Sequence, residues 1–219
     1  MTDSVILPLR TAKQPLPWLH PGGDCGICCL AGLLQTDVQS MYDWIFKNCR
    51  TMEGHGVSMS YEKFHLSGVE MKWVVDILRS HELVDRFIDD VPYWRTHDLT
   101  AYYGCPSWQM SCEWFSYVRM AVDAGYYGLA MVCHKKNGPL ACPDHWVLVC
   151  GAREREEDVV RDGRRMGGVI RHEILISNSS TRAPALPEEW VDAGDFLQQW
   201  GGYNLLLTRP CGSLPLASP

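Results

Sequence analysis

Gly125 divides the chain into two alphabets. Ahead of it, Cys25–Gln35, Asp37–Cys49, Val69–Leu83 and Cys112–Ala124 carry apolar residues at helical spacing, as in Val38, Met41, Tyr42, Ile45 and Phe46. Beyond it, Tyr126–Cys133, His145–Cys150, Val169–Ser177 and Tyr203–Thr208 are short β-branched, aromatic and aliphatic runs bounded by Gly, Pro, Asn or charge. Helices followed by strands predict an α+β fold whose strands form an antiparallel sheet. Asp37 is the expected N-cap of the second helix and Gly125 the C-terminal cap signal of the last.

With 219 residues, 46% of them hydrophobic, the chain can bury a core as one domain. Residues 1–24, with Pro8, Pro15, Pro17, Pro21 and Gly22-Gly23, read as an extended lead-in. Residues 25–125 form the expected helical lobe, interrupted by a loop at 50–68 and an irregular stretch at about 85–111. That stretch is either an insertion shaping a substrate or a packed connection. Its aromatics, with Trp114 and Phe115 beyond it, are expected to pack rather than to form a recognition surface. Residues 126–209 form the expected β-sheet lobe, with Arg153–Gly168 a solvated hairpin excursion of mixed charge, Asp195–Trp200 a helical turn or two, and 210–219 a loose tail.

A net charge of −6 and a pI near 5.7 argue against nucleic acid or an anionic membrane as a main partner. No basic-then-apolar start and no apolar run near the roughly 18 residues of a membrane span are present, so a cytoplasmic protein is expected, with delivery to another cell by a signal-less route left open. In that setting the ten cysteines read as reduced core thiols. The oligomeric state stays open.

Asp24-Cys25-Gly26-Ile27-Cys28-Cys29-Leu30-Ala31-Gly32-Leu33-Leu34 carries the chemistry. A thiol at a helix N-terminus meets the positive end of the dipole and unsatisfied N–H groups, which favours the thiolate, so Cys25 is expected to have a lowered pKa and to act as a nucleophile. Cys28 and Cys29, one turn along, suit small core positions. Two other readings exist. Cys25-x-x-Cys28 with Cys142-x-x-His145 has zinc-ligand spacing, but Cys28 falls inside an apolar helix and His145 opens an aliphatic strand. Cys25-Gly26-Ile27-Cys28 also resembles a thiol–disulfide redox motif, although the stretch before it makes a poor strand. No metal and no cofactor are expected.

Asp-Cys-Gly-x-x-Cys followed by aliphatics resembles the start of the double-glycine leader peptidases, papain-like cysteine peptidases found on bacteriocin exporters and in free-standing relatives. That family's His-aromatic-aliphatic-Gly stretch is matched by His145-Trp146-Val147-Leu148-Val149-Cys150-Gly151, and the run Ile174–Ser180 offers Asn178 at a strand end. The resemblance implies a papain-like fold with Cys25 as nucleophile, His145 as base and then acid, and Asn178 as the group that orients the imidazole. Papain-like enzymes use Asn-Ser at that third place, while the leader peptidases more often use Asp-Pro.

Residues 50–111 have no counterpart, and the long separation of Cys25 from His145 fits an inserted helical region. The family's oxyanion-hole glutamine falls here at Leu19, so His20 and Gln14 become the candidates for that role. Cys28 is the alternative nucleophile, since papain has Cys-Gly-x-Cys with the second cysteine active. The expected activity is hydrolysis of a peptide or isopeptide bond in a peptide or protein substrate through a thioester. Acyl transfer of the transglutaminase type and a catalytically weak binding protein are the alternatives.

Overall fold

The computed structural model describes residues 4–13, 24–49, 68–87, 107–132, 145–179, 188–200 and 205–214. Alternation along the chain builds its centre. In β4 (His145–Arg161), Trp146, Leu148 and Cys150 face one side while Val147 and Val149 face the other; in β3 (Tyr127–Val132), Leu129 opposes Ala130 in the same way. A bulge between Val149 and Gly151 resets the alternation, so Ala152 joins the side of Val149. A sheet buried on both faces needs helices on both.

On one face lie α1 (Cys25–Leu33), α2 (Val38–Asn48) and α3 (Gly68–Ser80). The α3 residues Met71, Val74, Val75 and Leu78 make its buried stripe, whereas α1 is buried nearly all round. On the other face lie α4 (Ser107–Asp123) and α5 (Ala193–Trp200), where Trp114 stacks on Phe196 with centroids 5.4 Å apart.

All strand pairs are antiparallel, in the order β2-β7-β3-β4-β5-β6, with β2 Val84–Arg86, β5 Arg164–Ser177, β6 Glu188–Asp192 and β7 Leu205–Pro210. The seventh strand, β1 (Ser4–Ile6), pairs with Gly151–Arg153 of β4, just past the residues that β3 covers. The α+β class and the antiparallel sheet are therefore as expected.

The expected partition into lobes is not what the chain does. Strands β1 and β2 come from the first half, and α4 packs on the face opposite α1–α3. The first helix stops at Leu33 because Gln35 turns left-handed, with φ of 53°, and its N–H and that of Thr36 return to Gly32 and Ala31. Asp37 caps α2 by accepting the Ser40 N–H at 2.8 Å. The third helix ends three residues early and leads into β2; α4 starts five residues earlier than expected, at Ser107, and Gly125 closes it with φ of 85°. The loop at 50–67 and residues 88–106, with Trp94, Tyr102 and Tyr103, lie outside the described residues; Trp114 and Phe115 are core.

The excursion at 153–168 is itself regular. Strands β4 and β5 run on as an exposed two-stranded hairpin, laced by Arg171–Glu157 at 2.9 Å and Arg165–Asp158 at 2.7 Å and turned at Asp162-Gly163. Beyond β7, the supposed tail is pinned where the Cys211 N–H meets the Leu83 carbonyl, and Leu214 is buried. Among the described residues, no helix is long and apolar enough to cross a membrane.

Candidate active site

Helix α1 begins with an unusual cap. Asp24 is fully buried, yet its carboxylate makes no capping bond; Oδ1 instead accepts the Tyr42 hydroxyl of α2 at 2.6 Å, while the Asp24 carbonyl starts the helix by accepting the Cys28 N–H at 2.8 Å. Cys25 is thereby the first helical residue, half-buried against the sheet.

Beyond the last β4–β5 pair, Leu148 with Ser177, the two strands part. Into this parting comes Cys25: its Sγ accepts the Trp146 N–H at 3.4 Å, which sets the thiol beside the backbone of His145. His145 opens β4, is buried and pairs with Val132 of β3. Its Nε2 lies 2.7 Å from Oδ1 of Asn178, the residue immediately after β5. With an amide oxygen as acceptor, Nε2 carries the proton and the neutral ring keeps its lone pair on Nδ1. The three residues named from the sequence are thus gathered at one end of the β4–β5 pair.

Residues 4–13, expected only as part of an extended lead-in, form a strap across the site. After β1 it crosses to α1, where the Ala12 N–H donates to the Cys28 carbonyl at 2.9 Å. Thr11 holds the buried Ser177, next to Asn178, by its N–H and its hydroxyl, each 3.1 Å from Ser177 Oγ. The strap presses so closely that a Cβ on Gly32 would fall 1.9 Å from the Arg10 carbonyl oxygen. Gly32 was the available clue, since a glycine within an apolar helix marks a close backbone approach.

The expected low thiol pKa is corrected. Burial pushes the Cys25 thiol up, and this outweighs the N–H groups of Trp146, Gly26 and Cys25 itself, which lower it; the Asp24 carboxylate adds to the rise. The helix terminus acts as anticipated, but desolvation is larger. Cys28, the alternative nucleophile, is fully buried and pushed up to about 12 by burial first, then by Asp24 and Cys25. Burial also raises Cys49 and Cys150 to about 11.

Among the described residues Cys25, Cys28, Cys29, Cys49, Cys150 and Cys211 are free thiols, and no three metal-binding side chains gather. His20, Gln14, Leu19 and Cys142 lie outside the described residues, so neither the oxyanion candidates nor the fourth residue of the zinc spacing is placed. Comparisons of the chain with protein-family models, with curated proteins and with solved structures give no match.

Proposed function

We propose that the chain is a papain-like cysteine peptidase akin to the double-glycine leader peptidases, cleaving a peptide or isopeptide bond through a Cys25 thioester. The observation that carries this reading is the pairing of two contacts at one sheet end: Cys25 Sγ on the Trp146 N–H, and His145 Nε2 on Asn178 Oδ1.

Burial raises the Cys25 thiol above its ordinary pKa and so disfavours a preformed thiolate, while Asn178 Oδ1 accepts the imidazole Nε2–H and leaves Nδ1 as the basic nitrogen of the neutral ring. The thiol proton then passes to His145 Nδ1 as sulfur attacks the carbonyl carbon, and the imidazolium protonates the leaving amine. The Cys25 backbone N–H serves the developing oxyanion. Water, deprotonated by the same ring, releases the acid product.

An electrophilic thiol probe applied near neutral pH, followed by peptide mapping, tests this. Selective labelling of Cys25, lost in His145→Ala, is the expected result; labelling of Cys28, labelling indifferent to His145, or stoichiometric bound zinc overturns it. With a cleaved substrate in hand, trapping by added amines separates acyl transfer from hydrolysis.

A further inference from the structure

The second cysteine of Cys25-Gly26-Ile27-Cys28 has no part in that reaction, yet its placement is specific. Cys25 and Cys28 stand three residues apart at the start of α1, a spacing that brings helical Cβ atoms within about 5–6 Å. A disulfide prefers Cβ atoms about 1–2 Å closer, a movement within reach of the first turn of a helix. The two thiols also sense each other electrostatically.

Their exposures differ in a useful way: Cys25 is half-buried and reachable by small molecules, whereas Cys28 is fully buried and shielded from thiols in solution. Against Cys28 lies the hydroxyl of Ser179, whose residue is 4% exposed. Ser179 Oγ is buried and has no completed hydrogen bond among the described residues. Such a group is costly unless something uses it. Among the described residues the core thiols Cys49 and Cys150 have no comparable neighbour: burial raises Cys49, and Cys150 points its thiol at the Leu175 carbonyl.

We propose that Cys25 and Cys28 form a reversible redox modification site, with Cys28 the resolving partner and hydrogen peroxide the oxidant class. The Cys25 sulfur attacks one peroxide oxygen, the O–O bond breaks, and Cys25 sulfenic acid forms with loss of hydroxide, which takes up the thiol proton as water. The Cys28 sulfur then attacks the Cys25 sulfur; the S–O bond breaks, an S–S bond forms, and the sulfenic hydroxyl leaves with the Cys28 proton as water. Sulfur loses two electrons overall and peroxide gains them. The Ser179 hydroxyl, donating toward the Cys28 sulfur, favours the deprotonated form that attacks. The disulfide silences Cys25 while protecting it from further oxidation. The proposal deepens the peptidase reading, since it makes that activity redox-regulated, but its readout is covalent and independent of turnover.

The full chain is treated with hydrogen peroxide near neutral pH, quenched with an alkylating agent and mapped by mass spectrometry before and after dithiothreitol. The expected product is a peptide linking Cys25 to Cys28, lighter by two hydrogens, with complete recovery of Cys25 alkylation after reduction. In Cys28→Ser and Cys28→Ala, Cys25 accumulates as sulfinic acid that dithiothreitol does not restore; Cys29→Ala behaves as wild type, and Ser179→Ala forms the disulfide more slowly. Equal recovery of Cys25 with and without Cys28, or a disulfide to Cys29, overturns the proposal. A peptidase reading that fails by indifference to His145→Ala leaves this map unchanged, so the two failures are distinguishable.

Discussion

Gly32→Ala puts two opposing effects against each other. Within a helix, alanine is favoured over glycine by about 1 kcal/mol, so sequence reasoning alone predicts stabilisation. The structure predicts the reverse, because the new Cβ would lie 1.9 Å from the Arg10 carbonyl oxygen and 2.8 Å from the Thr11 Cα, both backbone atoms with nowhere to rotate. The strap must lift, and its three bonds lift with it: Ala12 N–H to Cys28 O, and the N–H and hydroxyl of Thr11 to Ser177 Oγ. At about 1 kcal/mol each they total roughly 3 kcal/mol, leaving a net loss of about 2 kcal/mol. For a chain of this size that lowers Tm by about 4–8 °C. Thermal unfolding followed by circular dichroism reads the shift, and slower labelling of Cys25 accompanies it, since Ser177 adjoins Asn178. A Tm equal to or above wild type would refute the reasoning and show that the strap does not press on α1.

His145→Ala should slow Cys25 acylation by about 10²–10⁴ at neutral pH, and Asn178→Ala should slow it less while shifting its pH profile; stopped-flow labelling measures both. Tyr42→Phe removes the buried donor to Asp24 and should cost about 2 kcal/mol in urea unfolding; an unchanged midpoint would show that the carboxylate is satisfied elsewhere. Stability should fall as pH rises above 9. The thiols of Cys28, Cys49 and Cys150 are raised from 9.0 to about 12, 11 and 11, so above pH 9 the unfolded chain sheds protons that the folded chain retains. Cys150→Ser should flatten that slope in urea midpoints taken between pH 8 and 11. Replacing the hairpin tip from Glu156 to Ile170 with a short turn should leave Cys25 labelling intact, because the tip is exposed and lies at the far end of β4 and β5 from His145.

What could be read from residues was whatever a local pattern encodes. The apolar run of His145 to Cys150, the stripe of α2 and the Asp37 cap all concern neighbours in sequence, and all are found. Strands β1, β2 and β6 were missed because three to five residues carry no period of their own and are strands only by virtue of distant partners such as Gly151 and Thr208. The excursion beyond Arg153 was legible as a solvated hairpin, but not as two long paired strands: with both faces wet it has no apolar alternation, and its cross-strand ion pairs show only once the strands are paired. Cys25, His145 and Asn178 were legible as residue types in order, whereas the direction of the thiol pKa was not, since it depends on burial that many elements create together.

The strap carries a consequence for how the protein comes into being. Thr11 must wait for Ser177, 166 residues later, and β1 for Arg153. At a synthesis rate of about 5–20 residues per second, Asn178 follows Cys25 by roughly eight to thirty seconds. Throughout that interval the nascent chain holds the Cys25 thiol without the imidazole that Asn178 fixes beside it. The grouping of Cys25, His145 and Asn178 closes only once β5 has been made, so a translation product interrupted before it carries the cysteine but not the site.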